Sequence, residues 1–175
     1  VTPGPTNASL AQQFVRCITG MGSDGVRLLA ATLALPRQPG AEEVEVEVKS
    51  AAMVAHLARV SKEHYAFLDA AGVLSPICRL LSCSSTQVQA KACSALGILF
   101  RHSHLFYTPF SLVVGATEDL INCLSDPDPD TCKFAAFAVG NLGFHSDQFY
   151  TTIARAIGPL LLILEGSSLK ARANA

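Results

Sequence analysis

Charge is scarce in this chain. Of its 175 residues only 15% are charged, Lys+Arg 13 against Asp+Glu 14 for a formal net charge of -1, and tryptophan is absent. No two Lys or Arg residues are adjacent, so the sequence offers no footprint for nucleic acid or an anionic membrane, which call for clustered Lys and Arg. No apolar run reaches the roughly 18 residues of a membrane span; the best, Ile153 to Leu164, is interrupted by Arg155, Gly158 and Pro159. A leader with a charged n-region and apolar h-region is also missing, so secretion is not expected. The sequon Asn7-Ala8-Ser9 then reads as a helix-capping segment. What the chain has is apolar surface: 50% hydrophobic residues and a mean hydropathy of +0.35. That excludes disorder for most of it and fits one domain.

Cysteine occurs six times, at 17, 78, 83, 93, 123 and 132, without a CxxC pair and mostly inside apolar runs. The expectation is small buried hydrophobes in a reducing compartment, rather than a disulfide framework or a metal site. No cofactor is expected.

Punctuation divides the chain. Residues 1–6, with Pro3, Gly4 and Pro5, read as a frayed head, and Pro36 to Gly40 as a loop. Helices are predicted over Ser9–Ile18 and Asp24–Leu35. Val44, Val46 and Val48 alternate with glutamates as a strand would, but the run continues unbroken to Val60, so one helix from about Ala41 is favoured.

Beyond that point the sequence matches itself. A shift of 43 places Leu81 on Leu124, Ala92 on Ala135, Gly97 on Gly140, Leu99 on Leu142 and His102 on His145. A further shift of 40 places Leu124 on Leu164, and a fainter one, again 40 back, places Ala52 on Ala92. Each copy holds a helix start (Ser75-Pro76, Glu118-Asp119, Gly158-Pro159), an apolar stripe at helical spacing, a polar turn, and a longer helix that is apolar nearly all round. Asp128 before Pro129 predicts an N-cap and first turn, and Ser84-x-x-Gln87 has capping-box form. Gly97 and Gly140, mid-helix in one register, predict a neighbour packed too closely for a side chain. The units expected are 41–63, 64–103, 104–146 and 147–175.

Two or three helices in 40 to 43 residues is the period of stacked helical arrays, whose units cannot bury their faces alone. The sequence resembles armadillo repeats in detail: Leu68-Asp69-Ala70-Ala71-Gly72-Val73-Leu74-Ser75-Pro76 and onward to Leu81 looks like the second-helix signature, and Ala135 to Leu142 like that of the third helix. An all-α, right-handed superhelical solenoid of three to four repeats, the last one truncated, is implied. The stretch Cys132 to Asn141, followed by Phe144-His145-Ser146-Asp147, Tyr150 and Pro159-Leu160-Leu161, resembles more narrowly the C-terminal armadillo region of Fused-type serine/threonine kinases. That resemblance implies a non-catalytic cytoplasmic scaffold on the cytoskeleton or in a cilium or flagellum, with a kinesin-like or signalling protein as partner. The alternative is a peptide carrier similar to importin-α or β-catenin.

Enzymatic constellations are poor. Cys93 with His102 and His104, or His145 with Asp147, could be read as hydrolase pairs, and Asp126-Pro127-Asp128-Pro129-Asp130 as a hard-cation loop. Recurrence of the histidines with the repeat and helix capping by the aspartates explain both more simply, so no catalytic or metal residue is assigned. In peptide-carrying armadillo proteins a tryptophan and, four residues on, an asparagine line the groove, and Phe137 and Asn141 occupy those positions. Their counterparts are Ser94 and Ile98, then Val54 and Ala58, a degenerate ladder. Gln87, Lys91, Arg101, Lys133 and Phe144 join the candidate groove by helical spacing. A unit lacking its cap also leaves an apolar face, so self-association is expected at the C-terminal end.

Overall fold

The computed structural model describes residues 17, 20–35, 41–166 and 169–175, with backbone only at 41–43 and 169–170. Helices over Ser23–Ala34 (α1), Ala41–Val60 (α2), Glu63–Ala70 (α3), Leu74–Arg79 (α4), Thr86–His102 (α5), Tyr107–Leu112 (α6), Ala116–Asn122 (α7), Pro129–His145 (α8), Tyr150–Ile153 (α9), Ile157–Glu165 (α10) and Leu169–Arg172 (α11) are joined by short 3-10 turns, and no strand occurs among the described residues. The alternating valines near 46 are therefore helical. The helix expected over Ser9–Ile18 falls almost entirely outside the described residues, as do the head and the loop 36–40.

The long helices α2, α5 and α8 lie side by side, with α11 against α8, and the shorter helices form the other layers. Between them runs one continuous apolar core, from Val26 in α1 through Leu57, Leu81, Leu99 and Phe106 to Leu142 and Phe149. A unit is thus first helix, second helix, long helix, as in α3–α4–α5 and α6–α7–α8. This corrects the segment 41–63: it holds only a long helix and a turn, and α1 is the shorter helix packed on it. It also corrects the register. The long helices end at Val60, His102 and His145, so the first spacing is 42 rather than 40. Leu57 and Ala58, both fully buried, thereby take the places of Leu99 and Phe100, also fully buried.

Local chemistry sets the element starts. Gly72 (φ 68) and Gly115 (φ 81), 43 apart, turn the chain through left-handed backbone ahead of α4 and α7. Because α4 begins at Leu74, with Val73 at the N-cap, Ser75 lies inside the first turn and does not cap. Pro76 and Pro159 stand at the same third position of α4 and α10, where no intrahelical partner for an N–H exists. The start of α8 is as expected: Asp128 Oδ2 accepts from the Thr131 N–H at 2.8 Å, with Pro129 next to it. The capping box at Ser84 and Gln87 does not form. Ser85 is the N-cap of α5, without a side-chain bond, while Gln89 Nε2 donates to the Leu81 carbonyl at 2.9 Å. Between units, Thr131 Oγ1 donates to the Thr86 carbonyl at 3.1 Å, Arg79 donates to Leu33 O at 2.9 Å, and Arg155 pairs with Glu118.

Cys78, Cys83, Cys93 and Cys123 are buried free thiols, Cys132 is half-buried and Cys17 exposed. Burial, assisted by the Asp119 carboxylate, pushes the Cys78 thiol from 9.0 up to about 12. Below pH 9 the thiol is protonated in folded and unfolded chains alike. Between about 9 and 12 only the unfolded chain loses its proton, so stability falls as pH rises, by at most about 1.4 kcal/mol per pH unit for this one group. Urea unfolding at stepped alkaline pH should show that slope, and Cys78→Ala should reduce it; an unchanged slope would refute the assignment.

Candidate functional site

The long helices α2, α5 and α8 build the candidate face. In the corrected register Ala52, Ser94 and Phe137 are equivalent, and all three are half-buried. The next position in the ladder is uneven: His56 is exposed, Ile98 is only 4% exposed and Asn141 is half-buried. Ile98 therefore belongs to the core. Val54 and Ala58, the counterparts expected from a 40-residue shift, are both fully buried.

Phe137 does more than line a surface. Its ring lies over Gly97, where an added Cβ would fall 2.3 Å from Cδ1, with the Ala138 Cα at 3.3 Å. The close approach predicted at Gly97 is thus made by the neighbouring long helix. At Gly140 it is not: the position is exposed, and a Cβ would meet only the Asn174 carbonyl at an ordinary 3.6 Å. Asn141 Nδ2 donates to the Phe137 carbonyl of its own helix at 2.8 Å, and Asn174 Nδ2 donates to the Lys133 carbonyl at 3.2 Å.

The remaining candidates divide. Lys133 pairs with Asp130 and stands 4.3 Å from the centroid of the Phe134 ring, so its charge is already engaged. Lys91 is half-buried, and Gln87 and Arg101 are exposed. Phe144 is 83% exposed and packs edge-on against His145, ring centroids 4.8 Å apart at 88°. These side chains are strung along the face and do not converge on a pocket.

The enzymatic readings meet opposing chemistry. Cys93 is fully buried, and its hydrogen bond with Cys123, followed by burial, raises the thiol well above its usual range. A nucleophile needs the thiolate. In the aspartate loop, Asp126 Oδ1 accepts from the Asp128 N–H at 2.8 Å, Asp128 caps α8 and Asp130 pairs with Lys133. No cluster of His, Cys, Asp or Glu suited to a metal occurs among the described residues, and no single described helix is long and apolar enough to cross a membrane.

What the sequence alone missed is a set of basic side chains at the far ends of the long helices: Arg59, Lys62, Arg101, His102 and His145, all exposed. The equivalence of His102 and His145 was visible; the place of Arg59 beside Arg101 needed the corrected spacing.

This architecture is that of an armadillo-type solenoid, a right-handed superhelical stack of three-helix units. The armadillo/beta-catenin-like repeat family model matches residues 61–101, the α3–α5 unit. No curated protein matches the sequence. Among solved structures, the chain is similar to a designed armadillo repeat protein in complex with the peptide (KR)4, at 20% identity and TM-score 0.75, over 98% of this chain and 74% of that one. Computationally designed armadillo repeat proteins for modular peptide recognition are similar at 22% identity and TM-score 0.72, over 97% and 74%. An engineered protein is similar at 18% identity and TM-score 0.76, over 99% and 74%.

Proposed function

We propose that this chain is a non-catalytic protein-interaction scaffold that holds an extended segment of a partner protein along α2, α5 and α8. The observation that carries this reading is the row Ala52, Ser94 and Phe137, one partly exposed position repeated on three adjacent helices. Such a row presents equivalent steps to a peptide running across the stack. Support also comes from structural neighbours, one in complex with the peptide (KR)4 and others designed for modular peptide recognition.

The finer reading is the armadillo region of a Fused-type kinase, working in the cytoplasm on cytoskeletal or ciliary structures with a kinesin-like or signalling partner. Its support is the resemblance of Cys132–Asn141 and the residues that follow. Association between copies is supported by α10, where Leu161, Leu162 and Leu164 are exposed and no residue is buried.

The test is selection of binders from a random extended-peptide library, followed by titration of Ser94→Arg, which places a long charged side chain in mid-face. Helical content should persist by circular dichroism and peptide affinity should fall at least about tenfold. Binding that survives unchanged in Ser94→Arg overturns the reading.

A further inference from the structure

The last turns of the long helices carry basic side chains and no carboxylate. Arg59 stands in the last turn of α2, Arg101 and His102 in that of α5, and His145 in that of α8, with Lys62 just beyond α2. With the helices ending at Val60, His102 and His145, Arg59 and Arg101 share one position, while His102 and His145 share the next. The row crosses three units.

Some cations of the chain are paired and others are not; Arg79, Lys91 and Arg172, scattered outside the row, also meet no carboxylate among the described residues. Arg27, Lys49, Lys133 and Arg155 each meet a carboxylate: Asp24, Glu45, Asp130 and Glu118. Arg59, Lys62, Arg101, His102 and His145 meet none among the described residues. The carboxylates adjacent in sequence, Glu63 and Asp147, open the following helical segments and pair with none of the five. Burial first, and then the charges of Arg101 and Arg59, hold the His102 imidazole below its usual value.

A helix C-terminus attracts a cation through its dipole. That accounts for Arg59 and Arg101, but not for Lys62 outside the helix. A row of exposed basic side chains without carboxylate partners on an otherwise nearly neutral chain favours a bound anion.

We infer that this row is the docking site for an acidic segment of the partner protein, its carboxylates reaching Arg59, Arg101, His102 and His145 in turn, with the exposed Phe144 ring seating an apolar side chain at the α8 end. The inference rests on the scaffold reading and adds the sign of the ligand. A basic peptide such as the (KR)4 held by the designed protein is the wrong sign for this rim.

The experiment titrates the full chain with four labelled probes of equal length: a peptide alternating glutamate with apolar residues, its glutamine counterpart, (KR)4, and a single-stranded oligonucleotide. The glutamate peptide should bind at least about tenfold tighter than the glutamine one at low salt and weaken as salt rises. Arg59→Glu combined with Arg101→Glu should abolish that preference, and Arg59→Gln with Arg101→Gln should reduce it. Preference for the glutamine peptide or (KR)4, an oligonucleotide bound as tightly as the acidic peptide, or indifference to the charge reversals would each overturn the inference and leave the scaffold reading standing. No binding by any peptide here, together with an empty library selection, would instead remove the scaffold reading.

Discussion

Phe110→Ala is expected to destabilise this protein by about 3–5 kcal/mol, the range for deleting a fully buried aromatic ring. Phe110 has no exposed surface, and its ring links successive units. It packs edge-on against Phe100 of α5, centroids 4.9 Å apart at 69°. On the other side it meets Phe149, in the turn before α9, at 5.9 Å. Tyr107 closes the cluster, its hydroxyl donating to the Phe100 carbonyl at 2.6 Å and its ring standing 6.4 Å from Phe149. Truncation therefore opens a cavity where three consecutive units meet, and the surrounding helices cannot all collapse into it. Denaturant unfolding should show the loss as a lowered midpoint, with Phe110→Leu intermediate. A loss below about 1 kcal/mol would mean that the cluster is not the junction described here.

The second large effect is expected at Gly97. Replacing a helical glycine by alanine ordinarily stabilises by up to about 1 kcal/mol, but here the new Cβ would fall on the Phe137 ring. Phe137 is half-buried, so its ring can swing outward; the Ala138 backbone at 3.3 Å cannot give way so readily. Gly97→Ala should therefore fail to deliver the usual gain, and Gly97→Leu, which must push α8 away from α5, should destabilise by about 2–3 kcal/mol. Removing the ring supplies the control. Phe137→Ala should restore part of the loss in a Gly97→Ala background, measured as coupling in a double-mutant cycle. Strictly additive effects would show that ring and glycine do not meet.

Much of the fold was legible because the repeat imposes the same physics at each copy. Leu81 and Leu124 recur, and are buried, because the 3-10 turn that continues each second helix keeps its apolar stripe inward. Asp128 and Pro129 mark the start of α8 by the local chemistry of a helix end. Gly97 announced a close neighbour, correctly. Gly140 carried the same signal without the same cause, since what decides it is the helix alongside, which at α8 is the short α11 rather than a long partner. Ser75 looked like a cap, yet the left-handed turn at Gly72 starts the helix ahead of it. The register of α2 was misread because its Ala- and Val-rich sequence matches several shifts equally well, and only burial at Leu57 and Ala58 selects one. That slip hid the row at Arg59 and Arg101 and put the buried Val54 and Ala58 on the candidate face. Tertiary neighbours determine those assignments, and composition carries no record of them.

Thr131 has one further consequence. Its hydroxyl, fully buried, is shared between Asp128 and the Thr86 carbonyl, which bolts together the beginnings of α5 and α8. At the opposite extremity of the same seam, near His102 and His145, the fastening is aromatic: Phe100 and Phe149 both pack on Phe110. One end of the seam is thus clasped by a polar bond and the other by rings, so removing the Thr131 hydroxyl or the Phe110 ring loosens one end at a time.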